Sequence, residues 1–215
     1  MIDLHTHTLF SDGELIPSEL ARRAQVKGYR AIAFTDHMDE SSMDFAIPRI
    51  VRIAEKLSAV LPLTVLPGAE ITHVPPSQIP LAVKEARKLG AKIIVVHGET
   101  VVEPVEPGTN RAAIEAGADI LAHPGLISED DLLFAKEKGT YLEITIRKGH
   151  SLSNGYVARM AMRHTVPLVV NTDTHSPADL VTREFAEMVL LAAGIDRELI
   201  PSVLFNSEKL VKRSR

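Results

Sequence analysis

Seven times along this chain a short, largely apolar run gives way to a longer amphipathic stretch, and that alternation constrains the fold more than any other feature of the sequence. The runs are MIDLH (1–5), RAIAFT (30–35), LTVLPGAE (63–70), KIIVVH (92–97), DILAH (119–123), TYLEITI (140–146) and PLVVNT (167–172). Helical stretches lie between them at 17–28, 45–60, 77–90, 109–117, 128–139 and 154–164, and two more, 177–194 and 196–213, follow the last run. Strands covered on both faces read as continuous apolar runs, and their alternation with helices is the pattern of βα units around a parallel sheet. Gly28, Gly90, Gly117 and Gly139 fall where helix C-terminal caps belong, and Ser128 ahead of Glu129, Asp130 and Asp131 can cap a helix start. Pro17 suits a first helical turn, while Pro48 and Pro80 leave two helix starts loosely defined. With 215 residues, enough to bury roughly 70% of its surface, the expectation is one α/β barrel domain over 1–215.

Composition narrows the chemistry. The net charge of −4 is mild and Lys and Arg are interspersed with Asp and Glu, so no nucleic-acid face or polybasic membrane patch is expected. No run approaches the roughly 18 uncharged apolar residues that span a bilayer, and Met1 leads straight into strand-like sequence without a basic leader. The expectation is a cytoplasmic protein with a small-molecule partner; oligomeric state leaves no mark in the sequence. The absence of cysteine rules out a disulfide framework, a cysteine nucleophile and thiolate metal sites. Any metal must be held by nitrogen and oxygen.

The strand ends share a second pattern. The first run ends at His5 with His7 just beyond, and the second leads to Asp36 and His37. The third ends at Glu70, the fourth leads to His97 and Glu99, the fifth to His123, and the seventh to Asp173 and His175. A lone histidine beside a strand is usually packing or surface decoration. Six of nine histidines at the same end of parallel strands is a different matter, because those ends open on one face, where barrel active sites lie. His, Asp and Glu are the cysteine-free ligands for zinc, manganese or iron, and a set larger than four donors implies more than one ion.

The segments DLHTHTLFSDG, TDH, GAE, VVHGE, AHPG and NTDTH, in this order, resemble the motifs of the PHP (polymerase and histidinol phosphatase) family of metal-dependent phosphoesterases, over residues 1 to about 180. The resemblance implies a distorted (β/α)7 TIM-like barrel and three divalent ions (Zn, Mn or Fe). It places His5, His7, Glu70 and Asp173 around one ion, with Glu70 bridging to a second held by His97 and His123. Asp12, His37 and His175 would hold the third; some members carry histidine where this chain has Asp12, which shifts that site toward a harder metal. Six neutral imidazoles and three carboxylates leave such a centre cationic, which suits a phosphate monoester dianion. The implied activity is monoester hydrolysis of the histidinol-phosphate type, by a metal-bridging hydroxide attacking phosphorus in line.

Other residues are candidates on their own chemistry. Arg147, Lys148 and His150 follow the sixth strand and could grip phosphate, although basic residues in a loop are often only solvated. Glu99 could touch substrate or orient a ligand, and Asp36 could do the latter or cap a turn. Glu143 could hold a ligand or a substrate amine or make a structural hydrogen bond. His73 reads as surface rather than entrance, His164 as a helix-end charge, and Met160 and Met162 as helix packing. Two other function classes stay open: an amidohydrolase-type C–N hydrolase, disfavoured because His97 stands where its carboxylated lysine would be, and a metal-binding module without catalysis. Phosphodiesters and phosphotyrosine also remain possible substrates.

Overall fold

The computed structural model describes residues 1–214. Its strands are β1 (Ile2–Asp3), β2 (Ala31–Phe34), β3 (His37–Met38), β4 (Thr64–Ile71), β5 (Ile93–His97), β6 (Ile120–Ala122), β7 (Tyr141–Thr145) and β8 (Leu168–Asn171). All pairings are parallel, in the order β1-β2-β4-β5-β6-β7-β8, with β3 also on β4. Ala31 pairs with Thr64 and His37 with Glu70, the same offset of 33 positions, so β3 continues β2 in register beyond Thr35 and Asp36. The sequence reading of seven strands therefore holds, with the second running on to Met38. The circle is completed between the first and last strands by a parallel bridge from Thr6 to Thr174, by Asp173 N–H donating to the His5 carbonyl at 3.0 Å, and by His7 N–H donating to Thr174 at 2.8 Å. Buried Asp3 reinforces that closure by accepting from the Thr172 hydroxyl (2.5 Å) and amide (3.2 Å). The architecture is the expected TIM-like α/β barrel.

Eight helices cover the described residues: α1 (Pro17–Val26), α2 (Met43–Val60), α3 (Ile79–Lys88), α4 (Thr109–Glu115), α5 (Glu129–Lys138), α6 (Asn154–His164), α7 (Arg183–Ala192) and α8 (Ile200–Arg213). Ser128 caps α5 as expected, its Oγ accepting from Asp131 N–H at 3.1 Å. Several boundaries differ from the sequence reading: α3 starts at Ile79 rather than 77, α8 starts at Ile200 after a 3-10 turn over Arg197–Leu199 rather than at 196, and two further differences bear on the prolines and the caps. α2 starts two residues earlier than expected, so Pro48 sits inside it. The stretch from 177 begins as a loop because Thr182, not Pro177, caps α7 by accepting from Phe185 N–H.

Apolar packing forms two clusters. The larger lies between the outer face of the sheet and the surrounding helices, with Ile200 and Val203 from the start of α8, and includes Ile32, Phe34, Ile47, Ile50, Ile94, Leu121, Leu142 and Val170. The smaller fills the barrel interior with Leu4, Ala31, Ala33, Leu66, Ile93, Val95, Ile120, Ala122 and Val169. Leu210 and Val211 of α8 belong to this inner cluster, so the last helix stops the amino-terminal mouth of the barrel. Asn206 donates to the Leu168 carbonyl at 2.9 Å, and α8 also ion-pairs through Glu208 with Arg30 and through Arg213 with Asp119. Chemistry is left to the other mouth.

Candidate metal centre

The carboxyl ends of the strands and the loops after them bring all nine of the expected donors to one rim. After β1 the chain runs through His5 and His7 into a tight turn in which the Thr8 carbonyl accepts from Ser11 N–H (3.1 Å) and Gly13 N–H (3.0 Å). A Cβ at Gly13 would stand 2.4 Å from the His7 carbonyl oxygen, so this turn requires glycine. Buried Asp36 pins the same turn, its Oδ1 accepting from Thr8 N–H (2.7 Å), Ser11 N–H (3.1 Å) and Ser11 Oγ (2.9 Å). Asp12 is presented by that turn, His37 by β3, Glu70 by β4, His97 by β5, and His123, Asp173 and His175 by the loops after β6 and β8. His123 and Asp173 adopt φ of 27° and 56°, a left-handed backbone that costs energy in residues with a Cβ and recurs at functional sites.

Three groupings are evident. His5 Nε2 lies 3.2 Å from Glu70 Oε1 and 3.7 Å from Asp173 Oδ1, while His7 Nε2 lies 3.2 Å from Asp173 Oδ1 and 3.8 Å from Glu70 Oε2. His123 Nε2 is 3.8 Å from Glu70 Oε1, and its ring meets that of His97 edge-on at 4.4 Å. Asp12 Oδ1, His37 Nε2 and His175 Nε2 form a near-equilateral triangle with sides of 3.4, 3.2 and 3.4 Å. Glu70 is the shared member, with one oxygen toward His5 and His123 and the other 2.6 Å from His37 Nδ1.

The hydrogen bonds these groups lack are as informative as their proximity. His5 Nε2, both ring nitrogens of His7, Glu70 Oε1, His123 Nδ1 and Asp173 Oδ1 are buried without a hydrogen-bond partner among the described residues. An unsatisfied buried polar atom costs about 1–3 kcal/mol, and six at one rim form a donor set suited to cations. Desolvation pushes His7 down to about 4 and His123 well below the usual imidazole range, which keeps both neutral and ligand-competent. Against that same desolvation, the carboxylates of Glu143, Glu70 and Asp173 hold His5 well above its usual range. His37 is raised to about 10 by Glu70 and Asp12, again against desolvation. A cation arriving there must displace protons.

Supporting residues are partly those expected. Glu143, fully buried, accepts from His5 Nδ1 at 2.9 Å and from Asn171 Nδ2 at 2.8 Å; it orients an imidazole rather than facing substrate. Arg147 lines a cavity of about 280 Å³ over the donors and is held by Asp179 Oδ2 at 3.3 Å. Asp179 also accepts from His175 N–H (3.0 Å) and Ser176 N–H (2.7 Å). His150 is buried and lines the cavity, with Nδ1 2.8 Å from Thr100 Oγ1. Lys148 is exposed and does not line it, so of these two basic residues Arg147 is the one beside the donors.

Glu99 also departs from expectation: its carboxylate accepts from Gly108 N–H (3.0 Å) and Asn110 N–H (2.9 Å), bonding the amino end of α4 instead of lining the cavity. The carboxylate that enters is Glu103, four residues on and not identified from the sequence. Its bond to His97 holds it down at about 2, with burial opposing and His73 adding to the effect. His73, read as surface, is half-exposed but lines the cavity. His164 sits in the last turn of α6, 3.1 Å from Glu129, and Met160 and Met162 pack against the outer core.

Histidines and carboxylates converging unsatisfied on the carboxyl ends of parallel strands define a class: a TIM-like barrel built to hold divalent cations, the arrangement of a metal-dependent hydrolase. The chain belongs to the PHP domain family, whose profile matches residues 3–141. It is 49% identical over 214 residues to the uncharacterized protein MJ1295 of Methanocaldococcus jannaschii, covering 98% of both chains. It is 30% identical over 224 residues to a protein of Thermoanaerobacter sp. named "Probable phosphatase", covering 93% of this chain and 89% of that one. Among solved structures, a chain of archaeal ribonuclease P with mature tRNA superposes with a TM-score of 0.77 at 18% identity, covering 100% of this chain and 91% of that one. That likeness concerns the fold alone.

Proposed function

We propose that this protein is a phosphatase that hydrolyses phosphate monoesters of small metabolites at a centre of three divalent ions. The observation that carries the reading is the set of six buried, partnerless nitrogen and oxygen atoms on His5, His7, Glu70, His123 and Asp173. One ion would be held by His5, His7, Glu70 and Asp173, a second by Glu70, His97 and His123, and a third by Asp12, His37 and His175. Zinc, manganese and iron all suit these donors. Bound ions would supply Lewis acidity toward a water and toward the phosphoryl oxygens.

The chain's own residues have distinct tasks. Glu143 holds His5 in one tautomer and orientation, and Asp36 fixes the turn that presents Asp12. Arg147, steadied by Asp179, offers a guanidinium to a phosphate seated in the cavity. A groove of about 750 Å³, lined in part by Met43, Val74 and Leu81, meets that cavity at Thr72 and His73 and offers the leaving group apolar side chains edged by charges of both signs, Lys84 and Lys88 with Asp39, Glu40 and Glu85.

The test is to load the purified protein with zinc, manganese or iron(II) and follow phosphate release. p-Nitrophenyl phosphate, its bis ester, histidinol phosphate and nucleoside monophosphates serve as substrates. Turnover of monoesters that disappears with chelator is expected; inactivity toward every monoester with all three metals would defeat the proposal.

A further inference from the structure

Glu103 stands on the loop after β5 and reaches over the cavity, where its ion pairs among the described residues are all with imidazoles. Its Oε2 lies 3.1 Å from His97 Nε2 and 3.1 Å from His73 Nε2, and its Oε1 lies 3.3 Å from His150 Nε2. The remaining nitrogens of His97 and His150 are already engaged: His97 Nδ1 is 3.2 Å from the Gly98 carbonyl and His150 Nδ1 is 2.8 Å from Thr100 Oγ1. Both rings therefore aim Nε2 into the cavity. His150 also stacks on His123 at 4.1 Å with planes 16° apart. His97, His123 and His150 offer one donor atom each within 4.8 Å of one another, and so do His73, His97 and Glu103.

Two donors about 2.1 Å from a common ion stand roughly 3.0–3.4 Å apart in octahedral or tetrahedral geometry. The Glu103 contacts have that spacing. Without a cation, one carboxylate facing three imidazoles needs protons on them; with one, their lone pairs and the carboxylate share a single centre. His73 adds an independent sign. It is a third residue of this rim, with His123 and Asp173, to carry a left-handed backbone, at φ 53°, whereas the remaining non-glycine example, Thr165, merely ends α6.

We propose that Glu103 and His150 are metal ligands beyond the nine, completing the shell of the ion held by His97 and His123, with His73 steadying the Glu103 carboxylate. The inference rests on the metal-centre reading above. It makes one ion's coordination depend on a loop, so that ion exchanges more readily than one held by strand residues alone.

The test compares the whole protein with Glu103→Gln and His150→Gln variants, by zinc competition against a chromophoric chelator and by the visible absorption of the cobalt(II) form. In each variant one ion per chain should bind at least about tenfold more weakly, with a changed cobalt spectrum and the other ions unaffected. Glu103 is part-exposed, so its variant remains informative even if replacing buried His150 harms folding. Unaltered affinities and cobalt spectrum in Glu103→Gln would overturn the proposal, as would a change confined to KM, which would mark a residue that meets substrate. A wild-type protein that takes up no metal would defeat the metal-centre reading itself, which distinguishes the two failures.

Discussion

The two mouths of this barrel are built from the same strands and differ in almost every physical respect. At the amino-terminal mouth, α8 inserts Leu210 and Val211 among the interior side chains, and the charges around it are paired: Arg30 with Glu208, and Asp119 with both Arg87 and Arg213. At the carboxyl-terminal mouth, six buried donor atoms lack partners and three non-glycine residues hold left-handed backbones. One end pairs its charges and closes; the other leaves imidazoles and carboxylates unsatisfied and open. The contrast shows stability drawn from the floor and surrounding helices, and spent at the rim to keep a charged constellation in place.

Substitutions at each end can break or sharpen that contrast. The largest effect is expected from Glu70→Gln, which removes charge from the shared carboxylate: monoester turnover should fall at least about a thousandfold, ~4 kcal/mol in transition-state terms, and the metal-free protein should melt lower because His5 and His37 lose a counter-ion. A variant that keeps its activity would dissolve the assignment of Glu70 to the rim chemistry. Next comes the floor, where Leu210→Ala should cost about 2–4 kcal/mol in denaturant unfolding and leave metal stoichiometry untouched. If metal binding fell as well, the two mouths would not be independent. Glu143→Gln offers an amide where His5 has a carboxylate, and about a ten- to hundredfold loss of metal affinity with intact folding is the expected reading from chelator competition. Arg147→Ala should lower phosphate-ester turnover at least about tenfold without altering metal content; unchanged kinetics would remove Arg147 from the substrate's contacts. Smallest is Arg213→Ala at the floor, within about 1 kcal/mol in denaturant melts, because Arg87 still holds Asp119 and a single exposed partner contributes little.

Much of this was legible before any coordinates. The strands showed themselves because both faces are covered, so their apolar runs are unbroken, and eight of the rim donors showed themselves because they end such a run or stand within three residues of it, whereas Asp12, seven residues past His5, was placed by the family resemblance alone. What escaped depends on loop conformation. Glu99 and Glu103 look alike in sequence, but the interlock of Glu99 with Asn110 turns the first carboxylate toward α4, while the loop beyond carries the second over the cavity. Asp179 was hidden inside a stretch with helical periodicity, where the Thr182 cap competes successfully for the helix start. Lys148 follows Arg147 by one residue, and a single step along a turn was enough to send it to solvent. β3 was missed because its polar TDH sequence lacks an apolar run, although its register with β4 is that of the strand before it.

The join between Asp3 and Thr172 has a consequence of its own. It brings together segments 169 residues apart, so closing the circle at this seam costs more chain entropy than pairing strands that are neighbours in sequence. His5 and His7 sit on one lip and Asp173 and His175 on the other. A cation gripped from both sides would act as a rivet through this seam in the barrel wall, fastening the first strand to the last.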